Sequence, residues 1–149
     1  MTTLFTRIID GEIPGRFVWA DDLAVAFGTI APISDGHVLV VPRAEVARFT
    51  DAPDDLLAHL MSVAKTIGTA QQTAWAAPRA ALLVAGFEIP HLHLHVLPAW
   101  GEAELSFAHA RPDVPAAQLD AAAERLRAAL RDAGHGAHVP TVLGSPALG

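Results

Sequence analysis

Apolar side chains recur with a helical period in three parts of the 149-residue chain. Intervals of three and four residues predict a long helix over residues 53–75, which starts with a proline and two aspartates. A similar stripe predicts a second helix over residues 115–133, with Gly134 as its natural end. A single short turn of helix is expected over residues 4–9.

Five short runs that are rich in apolar and β-branched residues predict strands. These runs are residues 16–20, 23–27, 37–42, 80–85 and 91–97. Two aspartates lie between the first two runs, a pair typical of a turn, so we expect these runs to form a hairpin. Together the elements predict an α+β fold. Its antiparallel sheet of about five strands carries the long helix, and the C-terminal helix is added outside.

The length of the chain is typical of one domain, and no repeat or linker divides it. We predict a single domain over residues 1–138 and a flexible tail over residues 139–149, where proline, glycine and alanine are frequent. Although 52% of the residues are hydrophobic, no apolar run is long enough to cross a bilayer, and the N-terminus lacks a secretory signal. We therefore expect a cytoplasmic protein with no membrane partner.

Composition narrows the chemistry that the chain can perform. It has no cysteine, which excludes disulfides, thiol nucleophiles and thiolate zinc sites. Its formal net charge is −6 and its basic residues are scattered, so we expect no nucleic-acid partner. Any phosphate must therefore be bound by a local group of side chains.

Three histidines, His91, His93 and His95, alternate with leucines in the last predicted strand. On a strand this spacing places the three imidazoles on one face and the leucines on the other. Buried imidazoles need hydrogen-bond partners, which weighs against a purely structural or solvated row. Three histidines and a water can also bind zinc, but a straight row is not tetrahedral. The nearest acidic residue, Glu88, could serve as a ligand or support one only if the turn at residues 88–90 folds back.

The run at residues 91–97, HLHLHVL, resembles the motif of the histidine triad family of nucleotide hydrolases and transferases. Residues 4–14 resemble the opening segment of that family, and residues 26–42 resemble its ribose-side loop and the strand that follows. The resemblance covers residues 4–98. Related uridylyltransferases have glutamine in place of the third histidine, so His95 favours the hydrolase branch.

The resemblance implies a role for each of four histidines. His93 is the expected nucleophile on the α-phosphorus, and His95 is the expected donor to the phosphate oxygens and the leaving group. His91 and His37 are expected to support them. A neutral imidazole is a good nucleophile near pH 7, and a phosphorus–nitrogen bond is labile to water, so neither a metal nor a cofactor is required.

The family also implies which residues contact the nucleotide. They are Leu4, Phe5, Ile8, Phe27, Gly28, Thr29, Ile30 and Glu88. Ordinary core packing remains the alternative for the apolar members of this set.

Three departures from the family pattern change the ligands that we expect, two for the substrate and one for a structural metal. Thr29 stands where an aspartate usually grips the ribose hydroxyls, and it offers a weaker contact. Glu88 lies where many members have a phosphate-cradling Gly-Gln-Ser/Thr stretch, and its carboxylate favours a cationic amine over a polyphosphate. Thr3 and Thr6 occupy the region where some members have paired cysteines, so we expect no structural zinc.

We therefore predict a homodimeric enzyme that hydrolyses or transfers nucleoside 5′-phosphate derivatives, such as phosphoramidates or related purine nucleotides. The reaction is expected to pass through a covalent nucleotidyl-histidine. Two alternatives stay open. One is a nucleotide-binding regulatory or scaffold protein with little turnover, and the other is a metalloenzyme with histidine ligands.

Overall fold

An antiparallel sheet of five strands, in the order β1-β2-β3-β5-β4, forms the centre of the computed structural model, which describes residues 2–149. The strands are β1 (Phe17–Ala20), β2 (Ala24–Gly28), β3 (Val38–Pro42), β4 (Arg79–Val84) and β5 (Leu94–Ala99). The helices are α1 (Leu4–Ile9), α2 (Asp54–Trp75) and α3 (Ala116–Leu130). The predicted α+β fold is confirmed.

Asp21 forms the predicted hairpin turn between β1 and β2. One of its carboxylate oxygens accepts the backbone N–H groups of Leu23 and Ala24, each at 2.8 Å. The other oxygen accepts hydrogen bonds from Trp19 and from His59 of α2, both at 2.8 Å. The turn is therefore fixed by side-chain hydrogen bonds as well as by strand pairing.

The two faces of the sheet are covered differently. On one face, α2 and α3 bury a large cluster that includes Leu60, Ile67 and Leu126, all of which are fully buried. On the other face, the short helix α1 covers a smaller cluster with Phe5 and Ile8. Burial of each large apolar side chain of this kind stabilises the folded protein by roughly 1.5–3 kcal/mol. The lightly covered face leaves room for a cleft.

Helix α3 ends at Leu130, earlier than predicted, because residues 131–135 form a π-helical turn in which Gly134 has a φ of +94°. Residues 139–143, in the predicted tail, contact the domain: Val139 belongs to the large core cluster, and the carbonyl of Leu143 accepts the N–H of Phe17 at 2.8 Å. The division of the chain at residue 139 stays a prediction. Among residues 2–149, no helix is both long enough and apolar enough to span a bilayer.

Candidate active site

The histidine run is only partly a strand. The prediction of a strand over residues 91–97 is wrong at its start, because β5 begins at Leu94. Before that point the backbone bonds to loops, with His91 N–H donating to Ile89 and Leu92 N–H donating to Val46. The alternation nevertheless persists, since Leu92 and Leu94 are buried in the core on the helix side.

His93 is held in a defined tautomer. Its Nδ1 lies 2.7 Å from the backbone carbonyl oxygen of His91. Because a carbonyl only accepts hydrogen bonds, Nδ1 carries the proton and Nε2 keeps its lone pair. Burial lowers the pKa of His93, an effect that the carbonyl bond opposes and the nearby His91 reinforces. The ring is therefore neutral at pH 7, as a nucleophile must be.

His95 presents the complementary group, an N–H. The backbone N–H of Ile33 donates to His37 Nδ1 at 3.1 Å, so the proton of His37 lies on Nε2. That nitrogen lies 3.0 Å from His95 Nδ1 and donates to it, which leaves the proton of His95 on its own Nε2. Burial, then the charge of His95, lowers the pKa of His37 to about 3, and burial, then the charge of His93, lowers that of His95 to about 4. Both rings are neutral near pH 7.

His91 lies behind the other two histidines. Its side chain is fully buried, with Nε2 at 2.7 Å from the carbonyl oxygen of Pro42 and Nδ1 at 2.6 Å from the hydroxyl of Thr3. The ring does not line the cleft. Its contribution to the site is its backbone carbonyl, which orients His93.

A cleft of approximately 620 Å³ opens on the sheet face that α1 covers. Its walls include His37, His93, His95 and every predicted nucleotide-contact residue: Leu4, Phe5, Ile8, Phe27, Gly28, Thr29, Ile30 and Glu88. Phe5 and Phe27 are also core residues, whereas Ile30 is mostly exposed. The structure therefore brings all the predicted residues except His91 to one cavity.

A family model described as the HIT domain matches residues 10–101, more than half of the chain. The chain belongs to the histidine triad family. An uncharacterized HIT-like protein of Methanocaldococcus jannaschii is 36% identical over 107 residues, which make up 68% of this chain and 83% of that protein.

Solved structures agree with this assignment. A zinc-bound histidine triad family protein from Mycobacterium smegmatis has a TM-score of 0.77 and 25% identity, over 91% of this chain and 98% of that chain. A hypothetical histidine triad nucleotide-binding protein from Sulfolobus tokodaii has a TM-score of 0.75 and 29% identity, over 86% of this chain and 91% of that chain. The predicted family is confirmed.

In this histidine triad protein, the cleft also has walls that sequence reasoning missed. Phe107 lies in a short turn after β5, and its ring centroid is 4.8 Å from that of His95. Residues 13–16 also line the cleft, and an added Cβ at Gly15 would lie 2.8 Å from Ile8. In the sequence, only the glycine at position 15 indicates a close approach of the chain here. Neither loop has a periodic pattern of apolar residues that would predict its place in the cleft.

The cleft contains little formal charge. Among its described lining residues, Arg16 is the only lysine or arginine, and Glu88 is the only acidic residue. Arg16 is already paired with Asp120 of α3 through a 2.6 Å contact. The hydroxyl of Thr29 accepts a hydrogen bond from the backbone N–H of Ala31 at 3.2 Å. It can therefore donate one hydrogen bond, through its single proton, to a ligand.

Both ring nitrogens of His91 form hydrogen bonds, Nε2 with the carbonyl of Pro42 and Nδ1 with the hydroxyl of Thr3. In His93, Nδ1 bonds to the backbone carbonyl of His91. Among residues 2–149, no group of three or more histidine, cysteine, aspartate or glutamate side chains is arranged to hold a metal ion.

Proposed function

We propose that this protein is a nucleotide hydrolase or nucleotidyl transferase that forms a covalent nucleotidyl intermediate on His93. One observation carries the proposal. The hydrogen bond from His93 Nδ1 to the carbonyl of His91 leaves a free lone pair on Nε2, in a cleft that also contains the N–H of His95. A nucleophile and a hydrogen-bond donor side by side suit attack on a phosphate group.

In the first step, His93 Nε2 attacks the α-phosphorus of a nucleoside 5′-phosphate derivative, and the bond from phosphorus to the leaving group breaks. The leaving group departs with the electron pair and takes one proton from solvent. The N–H of His95 donates to the phosphate and leaving-group atoms without being consumed. In the second step, water attacks the phosphorus, the electron pair returns to His93, and one proton is released to solvent.

The charges around the cleft support phosphoramidates as the substrate class. A polyphosphate leaving group needs several cations, but Arg16 is the only one among the described lining residues, and it is already paired with Asp120. The exposed carboxylate of Glu88 instead matches a departing amine. The buried rings of Phe5 and Phe27 offer apolar surface to a purine base.

Single-turnover mixing with an adenosine 5′-phosphoramidate tests the proposal. Wild-type protein should show an AMP-sized adduct by intact mass or release AMP, and His93→Ala should do neither. His59→Ala, which changes a histidine on α2 outside the cleft, is the matched control and should react like wild type. Equal AMP release by His93→Ala and wild type contradicts the covalent mechanism.

A second candidate is a nucleotide-binding regulatory protein with little turnover. Thr29 favours it, because its hydroxyl already accepts the N–H of Ala31 and leaves a single donor for the ribose. Calorimetric titration with AMP separates the two functions. Tight AMP binding without product from amine, diphosphate or polyphosphate leaving groups supports the regulatory function.

The expected homodimer and cytoplasmic location belong to the same proposal. Strand β4 is one of the two outer strands of the sheet and exposes Leu82, so this edge suits pairing with a second copy. Light scattering after size exclusion gives the mass in solution. A mass equal to one chain contradicts the dimer.

A further inference from the structure

Thr3, the residue that precedes α1, bonds to a catalytic-motif histidine 88 positions away. The Thr3 oxygen lies 2.6 Å from His91 Nδ1, and it also accepts the backbone N–H of Thr6 at 3.1 Å. Because the carbonyl of Pro42 only accepts, His91 Nε2 carries a proton, and in the tautomer with its single proton there Nδ1 is the acceptor. Thr6 Oγ1, at 3.2 Å, is the other acceptor within reach of the Thr3 hydroxyl, and the shorter contact directs the proton to His91, beyond what a helix cap requires.

Glu45, in the loop after β3, forms hydrogen bonds with both Thr3 and Thr6. Its Oε1 accepts the backbone N–H of Thr3 at 3.0 Å and the hydroxyl of Thr6 at 2.6 Å. The hydrogen bonds from Thr6 and then from Thr3 lower the pKa of Glu45, so the carboxylate is ionised at neutral pH. We name these four residues, Thr3, Thr6, Glu45 and His91, the Thr3–Glu45 clasp.

The clasp joins two parts of the site that are distant in sequence. Through the carbonyl of His91 it reaches His93, whose Nδ1 bonds to that oxygen. Through the start of α1 it reaches the cleft wall, because the ring of Phe5 lies edge-on to His93 at a centroid distance of 4.9 Å. A shift of α1 would therefore move the cleft wall and the nucleophile together.

We propose that Thr3 and Glu45 are positioning residues, which fix His91 and through it the orientation of His93 relative to the nucleotide cleft. This inference rests on the proposed function. Neither side chain lines the cleft, so neither contacts the substrate. We expect their loss to slow the chemical step more than it weakens nucleotide binding. A misplaced catalytic group can reduce the rate by up to roughly 100-fold.

The experiment compares Thr3→Val, which keeps the shape but removes the hydroxyl, with Thr3→Ser, which keeps the hydroxyl. We expect Thr3→Val to lower kcat for an adenosine 5′-phosphoramidate roughly tenfold, with a smaller change in KM. Thr3→Ser should stay close to wild type. The matched control is Thr73→Val on α2, whose hydroxyl bonds only to a backbone carbonyl of its own helix, and it should leave kcat unchanged.

Glu45 supplies a second test that does not disturb the helix cap. Glu45→Ala should lower kcat in the same direction as Thr3→Val, and Glu45→Gln should restore most of it, because the amide oxygen still accepts. If one network is involved, the effects of Glu45→Ala and Thr3→Val should be less than additive in the double variant.

Imidazole ¹⁵N NMR spectra report the hydrogen bonding of each histidine ring, so they test the clasp without an activity assay. Thr3→Val should shift the signals of His91 and His93, with those of His59 unchanged. If wild-type protein releases no AMP, the proposed hydrolase function fails, and these spectra alone decide the clasp. Wild-type kcat together with wild-type spectra in Thr3→Val, or a Thr3→Ser variant as impaired as Thr3→Val, overturns the clasp.

Discussion

His37 Nε2 lies 3.0 Å from His95 Nδ1, and this contact determines where His95 carries its proton. The backbone N–H of Ile33 occupies the other nitrogen of His37, so His37 can only donate to His95. His95 consequently keeps its proton on Nε2, the nitrogen available to the cleft. A residue outside the histidine motif thus decides the tautomer of a residue within it.

His37→Ala should therefore impair the reaction although His37 does not attack the substrate. Without this donor, His95 can move its proton to Nδ1 and lose the hydrogen bond that we propose it donates to the phosphate. We expect kcat for an adenosine phosphoramidate to fall by on the order of 100-fold. His37→Gln, which retains an N–H donor, should recover part of the rate, and equal rates for the two variants would argue against the tautomer explanation.

Acid should destabilise the fold through His37 and His95. Their pKa values in the folded protein, about 3 and about 4, lie below the ordinary value of 6.5. Between pH 7 and pH 4 the unfolded chain therefore binds protons that the folded chain does not, so the free energy of unfolding falls as pH falls. After allowance for the partial exposure of His95, we expect a loss of about 3 kcal/mol, measured by urea denaturation.

His37→Phe removes one of these titrating groups and should make the pH dependence shallower. His109→Phe, at an exposed position in a surface turn, is the control and should keep the wild-type slope. A His37→Phe slope as steep as that of wild type would assign the acid sensitivity to other groups.

Thr29→Asp should strengthen binding of the ribose of the substrate. A carboxylate accepts hydrogen bonds from both sugar hydroxyls, whereas Thr29 has one proton to donate. We expect KM for the adenosine phosphoramidate to fall roughly fivefold with little change in kcat. The 2′,3′-dideoxy substrate, which lacks both hydroxyls, should show no gain, and an equal gain with it would contradict a ribose contact.

Glu88→Lys should change the preference for the leaving group. Reversing the only acidic charge among the described cleft residues should raise KM for an amine leaving group and lower it for a diadenosine polyphosphate. The competing substrates are assayed side by side, with Glu102→Lys, outside the cleft, as the control. If Glu88→Lys and Glu102→Lys shift the preference equally, only the net charge of the protein matters.

Arg127→Met should destabilise the fold and release the C-terminal segment. The guanidinium is buried and donates to the carbonyls of Phe17 at 2.7 Å and Pro140 at 2.8 Å. Its removal takes a charged donor from each carbonyl, and we expect a loss of about 3 kcal/mol in urea denaturation. Limited proteolysis after residue 138 should become faster. Arg131→Met, at an exposed position, should change stability by less than about 0.5 kcal/mol.

The sequence by itself determined the features that depend on local spacing. Apolar intervals of three and four residues predict α2 because they place one face of a helix against a core. The alternation at His93 and His95 likewise places both rings on the face opposite the leucines, which α2 and α3 cover. The family motif then indicates the chemistry of these two rings.

Only the tertiary structure decided which distant groups complete the site. The pairing of Leu39 with His95 brings His37 beside the motif, and the loops carry Phe107 and Glu45 to opposite ends of it. Strand β5 starts at Leu94 because His91 and Leu92 bond to loops. These contacts depend on strand register and loop path across many residues, and such relations leave no periodic signal in the chain.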